Sequence, residues 1–206
     1  MMINLQSSTQ LFCIHLAKTY GSWAETHLQH DEPEKALRSC SRAIRLNPLL
    51  AEAYVNRGRA YYRLEHYEQA ITDYDHALDL RSGWAEVYIN RGLAHYALGN
   101  NAEAFGDFNW AIYLDPHQAL AYHHRGMADE AAGNLSGAIA DYTKALQLNP
   151  RCVNSYASRA RARLSKGDFG GALADLQRYV AMGGAQVNGE AHETQALIQH
   201  IRASIS

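Results

Sequence analysis

A step of 34 residues governs this sequence. Ala36, Ala70, Ala104, Ala138 and Ala172 stand 34 apart, as do Ala43, Ala77, Ala111 and Ala145. Gly58, Gly92 and Gly126 keep the step, flanked in register by Ala24 and Ala160. Tyr20, Tyr54, Tyr88, Tyr122 and Tyr156 form an aromatic column, and Cys40, Tyr74, Phe108, Tyr142 and Leu176 a bulky apolar one. Pro48, Pro116 and Pro150 form a terminator column, with Ser82 and Gly184 in its gaps. Columns that agree on one period mark tandem units, each too small to bury its apolar face except against the next. The windows run 17–50, 51–84, 85–118, 119–152 and 153–186 without insertion.

Each window reads as two helices. Glu52 to Leu64 carries Tyr54, Gly58 and Tyr61 on one face; Glu65 and His66 interrupt it; Tyr67 to Leu80 follows with Ala70, Tyr74, Ala77 and Leu78 on one face. Small residues such as Gly58 and Ala70 let helices approach and act as holes for neighbouring aromatics. Asn-Pro at 47–48 and 149–150 and Asp-Pro at 115–116 end the second helix, because the residue before proline is pushed out of the helical region. Composition agrees: 33 Ala, the best helix former, stand against 5 Val and 4 Pro.

The ends differ from the middle. Residues 1–16 form an extension that merges into one long first helix over 8–30, striped by Leu16, Tyr20, Trp23, Ala24 and Leu28. Gly183-Gly184 is a break. Ala191, Thr194, Leu197, Ile198, Ile201 and Ile205 then recur at helical spacing, and the segment 187–206 reads as a capping helix for the last window.

Four windows carry Arg57, Arg91, Arg125 and Arg159 at one position and Asp73, Asp107, Asp141 and Asp175 at another, whereas the first window has Trp23 and Ser39 there and lacks both charges. Their joint absence points to structural ion pairs, each Arg with the Asp of its own window.

The net charge of −2 removes the electrostatic case for nucleic acid or an anionic membrane as the main partner. Cys13, Cys40 and Cys152, odd in number and widely spaced, make neither a disulfide framework nor a zinc site. The longest apolar run near the N-terminus, Leu11 to Ile14, is too short for a secretory signal, and no run is long enough to insert in a membrane, so the expected location is cytoplasmic. Asp168-Phe169-Gly170 spells a kinase tripeptide but falls in an interhelical turn with no other kinase element. His27 and His30 with Asp31, and His123 with His124, lack a third strong ligand, so no metal and no cofactor is expected, and no enzyme. Charge is uneven: residues 1–63 carry +3, 64–145 carry −8 and 146–206 carry +3. Arg151, Arg159, Arg161, Arg163 and Lys166 follow one another without an acid between them, and Arg151, Arg161, Arg163 and Lys166 are a candidate basic docking patch.

The run Tyr54, Arg57-Gly58, Tyr61, Ala70, Tyr74, recurring in phase, resembles the tetratricopeptide repeat over 170 of 206 residues. It departs from the family pattern where Arg replaces the usual Leu before the glycine. The resemblance implies an all-α fold, an α-solenoid of five helix-turn-helix repeats with a C-terminal capping helix. It also implies a concave groove lined by first helices that holds a peptide or partner protein. Carried over by register, that groove comprises Val55, Asn56, Arg59, Tyr62, Arg63, Ile89, Asn90, Leu93, Tyr96, His123, His124 and Met127. Arg59 and Arg63, one turn apart, are placed to hold one peptide carboxylate. The family's chaperone-tail carboxylate clamp is not matched, since its places hold Val55, Arg59, Asn90, Leu120 and His124. The implied function is a protein–protein scaffold or adaptor; the alternative is an assembly chaperone that shields an apolar client segment.

Overall fold

The computed structural model describes the backbone of residues 2–187, 189 and 191–205, and side chains from residue 10 onward within those ranges except Val187 and Ile205. The Ile205 part of the terminal stripe therefore lies outside the described residues, as do Asn188, Glu190 and Ser206. Among the described residues there are twelve helices and no strand. None of them is long and apolar enough to cross a membrane.

The helices form two compact units, residues 1–100 and 101–206, which divide inside the window 85–118. The first holds α1 (Met2–Gln29), α2 (Pro33–Leu46), α3 (Ala51–Arg63), α4 (Tyr67–Leu80) and α5 (Ala85–Ala97). Each packs on the next, and α3 also touches α1 and α5. The second holds α6 (Asn101–Leu114), α7 (Ala119–Ala131), α8 (Leu135–Leu148), α9 (Val153–Ser165), α10 (Phe169–Ala181), the short α11 (Gly184–Val187) and α12 (Ala191–Ile205). There α6 to α10 again pack in succession, and α12 lies against α10.

The repeated residues explain the packing. Ala36, Ala70, Ala104, Ala138 and Ala172 are fully buried, as are Ala43, Ala77, Ala111 and Ala145. A Cβ on Gly58 would stand 2.6 Å from the Tyr74 ring, and one on Gly126 would stand 2.8 Å from the Tyr142 ring. These glycines are the holes that the bulky column fills. Asn47, Asp115 and Asn149, each before a proline, accept the backbone N–H two residues on, which closes the turn after the second helix. The turn inside each pair has a column of its own. Asp31, Glu65, Gly99, Gly133 and Gly167 stand 34 apart, and all have positive φ. Glycine adopts that conformation without strain; Asp31 and Glu65 hold it under backbone strain.

Three of the repeat arginines, Arg57, Arg125 and Arg159, are forks between helices. Arg57 donates to both oxygens of Asp73 at 2.8 and 2.7 Å, Arg125 to both of Asp141 at 2.7 Å, and Arg159 to both of Asp175 at 2.9 and 2.6 Å. Asp73 and the hydrogen bonds it accepts push the Arg57 pKa up, and Asp141 does the same for Arg125. The remaining guanidinium nitrogen, Nη1, reaches the preceding second helix. Arg91 Nη1 donates to Asp75, Arg125 Nη1 to Asn109 and Arg159 Nη1 to Thr143. The tyrosine column supplies a ring three residues before each arginine, with guanidinium to centroid distances of 5.6 Å for Arg57 on Tyr54, 5.4 Å for Arg91 on Tyr88 and 5.6 Å for Arg125 on Tyr122.

Two expectations about the ends need correction. Trp23, placed on the inner stripe of α1, is half exposed and stands edge-on to Tyr20. Leu197 is 37% exposed; the covering face of α12 is Thr194, Ile198 and Ile201, one helical turn at a time.

Candidate peptide-binding face

In the first unit, α3 packs on α2 and α4, and α5 packs on α4 and touches α3. Val55 points into the seam with Ala70, Tyr74 and Val87, which fixes the rotation of α3. On the side away from that seam stand Arg59, Tyr62 and Arg63, with Asn56 buried beside them, and α5 brings Asn90 and Leu93 to meet them. Arg59, Tyr62, Arg63, Tyr74, Asn90 and Leu93 line a cleft of about 110 Å³. Its polar lining is rich in donors and contains no carboxylate. The Asn90 side-chain nitrogen is buried and has no hydrogen-bond partner among the described residues. Arg59 makes only a long contact to Asn56, with Nη1 to Oδ1 at 3.5 Å, and no ion pair among the described residues. Burial pushes the Tyr62 hydroxyl pKa up, so it stays protonated and able to donate. Its ring lies edge-on to Tyr67, with centroids 5.4 Å apart.

Beside this cleft is a hollow of opposite character. Glu25, Glu52, Val55, Asn56, Arg59, Trp84 and Glu86 line it, with Arg59 shared between the two. The face is thus sorted into an acidic end and a donor-rich end, which share one arginine.

Other register-assigned groove residues sit elsewhere. Val55, Ile89 and His123 are buried, although Val55 still touches the floor of the acidic hollow. They form one 34-step column that faces the helix seam, so it cannot supply the open surface assigned to it. Tyr96 is half-buried on α5 and lines neither hollow. Arg63 is already held by the Leu28 carbonyl and by Asp31 at 3.2 Å, which corrects its role as a second free carboxylate anchor.

In the second unit, Met127 packs on Ala138, Tyr142 and Ala162 and is part of the helix seam. His123 Nδ1 pairs with Ser155 Oγ at 2.8 Å, across from α7 to α9. The His124 ring stacks on Phe108, and its Nδ1 is buried without a partner among the described residues. Burial, with Arg161 close by, drives the His123 pKa down to about 4, and burial beside His123 does the same for His124. Both are neutral wedges between helices instead of groove residues.

The acid-stability consequence follows from the sign. Both folded-state values lie below the ordinary histidine value near 6.5, so the unfolded chain takes up protons first as the pH falls. Stability is expected to be lost between pH 6.5 and pH 4, by about 2 kcal/mol or more over that window. Urea titrations at several pH values check this, and His124→Phe is expected to flatten part of the slope.

Three of the four residues of the basic docking patch are tied to neighbours, while Arg151, Arg161 and Lys166 remain exposed. Arg161 forks Glu130 at 2.7 and 3.0 Å, and Glu130 also accepts from the Tyr142 hydroxyl at 2.8 Å. Burial pushes the Glu130 pKa up, but these hydrogen bonds outweigh it and hold the group below the usual carboxylate range. Arg163 donates to Asp175 at 2.7 Å and to the Gly171 carbonyl, and Lys166 donates to Ser136. Arg151 alone of the four is exposed with no such contact described. The run lacks acids in sequence; the fold supplies them from α7 and α10.

Models of the tetratricopeptide repeat match residues 24–86, 56–119 and 119–152. Among solved structures the chain is similar to MamA from Desulfovibrio magneticus, at 23% identity and a TM-score of 0.74, over 82% of this chain and 96% of that one. It is similar to pilF of Pseudomonas aeruginosa at 18% identity and a TM-score of 0.77, over 92% and 98% of the two chains. YrrB, described as a repeat protein of this kind with an unusual peptide-binding site, aligns at 20% identity and a TM-score of 0.67, over 89% and 90%. At these identities the likeness is one of fold. No curated protein matches the chain.

Proposed function

Because the chain belongs to the tetratricopeptide repeat family, whose members generally mediate protein–protein interaction, we propose that it is an adaptor that holds a peptide segment of a partner protein. The peptide lies across α3 and α5, with an acidic residue at Arg59 and a basic or amino group over Glu52 and Glu86. One observation carries this reading: the donor-rich cleft holds an arginine without an ion pair and a buried amide without a partner, next to a hollow with three glutamates. An uncompensated buried donor is costly unless a ligand completes it. Tyr62 and Leu93 add apolar contact of the kind that anchors interfaces. The mixture of fixed charges and orphan donors favours an adaptor over a chaperone that shields apolar segments, which would call for a broad apolar floor. On this reading the chain acts by binding, without chemistry of its own, and works in the cytoplasm, where its three free cysteines are stable.

The test is selection from a library of displayed twelve-residue peptides on the intact chain. The recovered peptides are expected to share an acidic residue next to an apolar one. Tyr62→Ala is expected to weaken them about tenfold or more, as for an interface hot spot. Arg59→Ala is expected to slow association and remove most of the salt dependence. Circular dichroism checks that both variants fold. Peptides indifferent to both substitutions would place binding elsewhere and end this reading.

A further inference from the structure

The outer face of α6 breaks the pattern of its siblings. At the places of Gly106, Trp110 and Tyr113 the other windows carry Arg38, Arg42 and Arg45; Thr72, His76 and Asp79; Ala140, Lys144 and Gln147; and Ala174, Arg178 and Ala181. Four windows present a largely polar or charged outer surface there and one presents two aromatics over a glycine. Trp110 is 54% exposed and Tyr113 75%. Their rings meet edge-on at 5.6 Å, and with Gly106 and Asn109 they border one open trough. A Cβ on Gly106 would meet nothing within 4 Å, so internal packing gives no reason for glycine there. Glycine in mid-helix weakens the helix relative to alanine, and a helix that keeps one gains close approach from outside.

We propose that this face is the contact through which two copies of the chain form a homodimer. The argument is self-complementarity. Glu103, Gly106, Trp110 and Tyr113 follow one another at steps of 3, 4 and 3, which is one continuous helix stripe. If two such helices lie antiparallel about a twofold axis beside Phe108, Gly106 of each opposes Trp110 of the other, and Glu103 opposes Tyr113. The bulky residue enters the hole left by the glycine, and the carboxylate accepts from the phenol. A twofold contact requires one patch to fit itself in this way. The centre of the stripe carries no charge, so two identical chains meet without repulsion there. Four aromatic rings, already partly covered in the monomer, add less than about 1,000 Å² between them, the size of a weak, transient contact. At that size the dimer is expected to be reversible, dissociating on the order of micromolar or above.

Sedimentation velocity of the full chain across a concentration series tests it. The mass is expected to rise from 23.0 kDa toward twice that value as concentration passes that range. Trp110→Ala is expected to leave the chain monomeric throughout. Gly106→Gln fills the hole but meets open space within the monomer, and is expected to abolish the dimer with an undiminished thermal midpoint at low concentration. A wild-type chain that stays monomeric at the highest concentration overturns the proposal, and so does a dimer that survives both substitutions.

Discussion

Deleting residues 191–206 is expected to lower the thermal midpoint by about 10 °C or more and to make the chain aggregate on heating. Ile198 and Ile201 are 3% and 2% exposed, and they cover Ala160, Ala172 and Leu176, with Leu164, Leu173 and Val180 at the margin. Two fully buried isoleucines contribute roughly 3–6 kcal/mol, and in a chain of this length each kcal/mol moves the midpoint by roughly 2–4 °C. The deletion also leaves the α9–α10 pair with an apolar face in water, which repeat arrays avoid by capping. Melting followed by circular dichroism, with light scattering in parallel, reads both effects. An unchanged midpoint and a clear solution would show that α12 is not a cap.

Asp175→Ala is expected to cost about 3–5 kcal/mol, far more than removal of an exposed acid. Asp175 is 3% exposed and accepts from Arg159 and from Arg163. Without it, two guanidinium groups that are 13% and 22% exposed lose their common counter-ion. The comparison is Asp75→Ala. Asp75 also meets a repeat arginine, at 2.6 Å from Arg91, but is 52% exposed, so its loss is expected to cost about 1 kcal/mol or less. Urea unfolding of the two variants side by side measures the difference. Equal losses would mean that burial does not set the strength of these pairs.

The two-helix unit was legible in the sequence because a 34-step column preserves the helix face on which a residue sits. Trp23 and Ser39 together revealed the Arg–Asp pairing through their joint departure from it. What the columns do not carry is the rotation of each helix about its axis. Val55, Ile89 and His123 were assigned to the open face, yet the helix turns that column into the seam. The neighbouring column, with Asn56 and Asn90, stands at the edge of both. The column of positive φ was also present, but two of its five members are Asp31 and Glu65, and side chains that rarely adopt that conformation conceal it. The basic run misled for a different reason. Spacing along the chain shows which charges are neighbours in sequence, and the acids that neutralise Arg161 and Arg163 come from residues 130, 168 and 175.

The arginine forks also give the structure a direction. Arg91, Arg125 and Arg159 each sit on a first helix and reach back to a second helix made earlier in the chain, through Asp75, Asn109 and Thr143. These single backward bonds close on what the ribosome has already released, whereas the two-bond forks of Arg57, Arg125 and Arg159 close only once the following second helix is made. As α5, α7 and α9 emerge, each finds one acceptor in place. A chain interrupted after α7 or α9 already holds its backward bond but still lacks the aspartate that completes the fork.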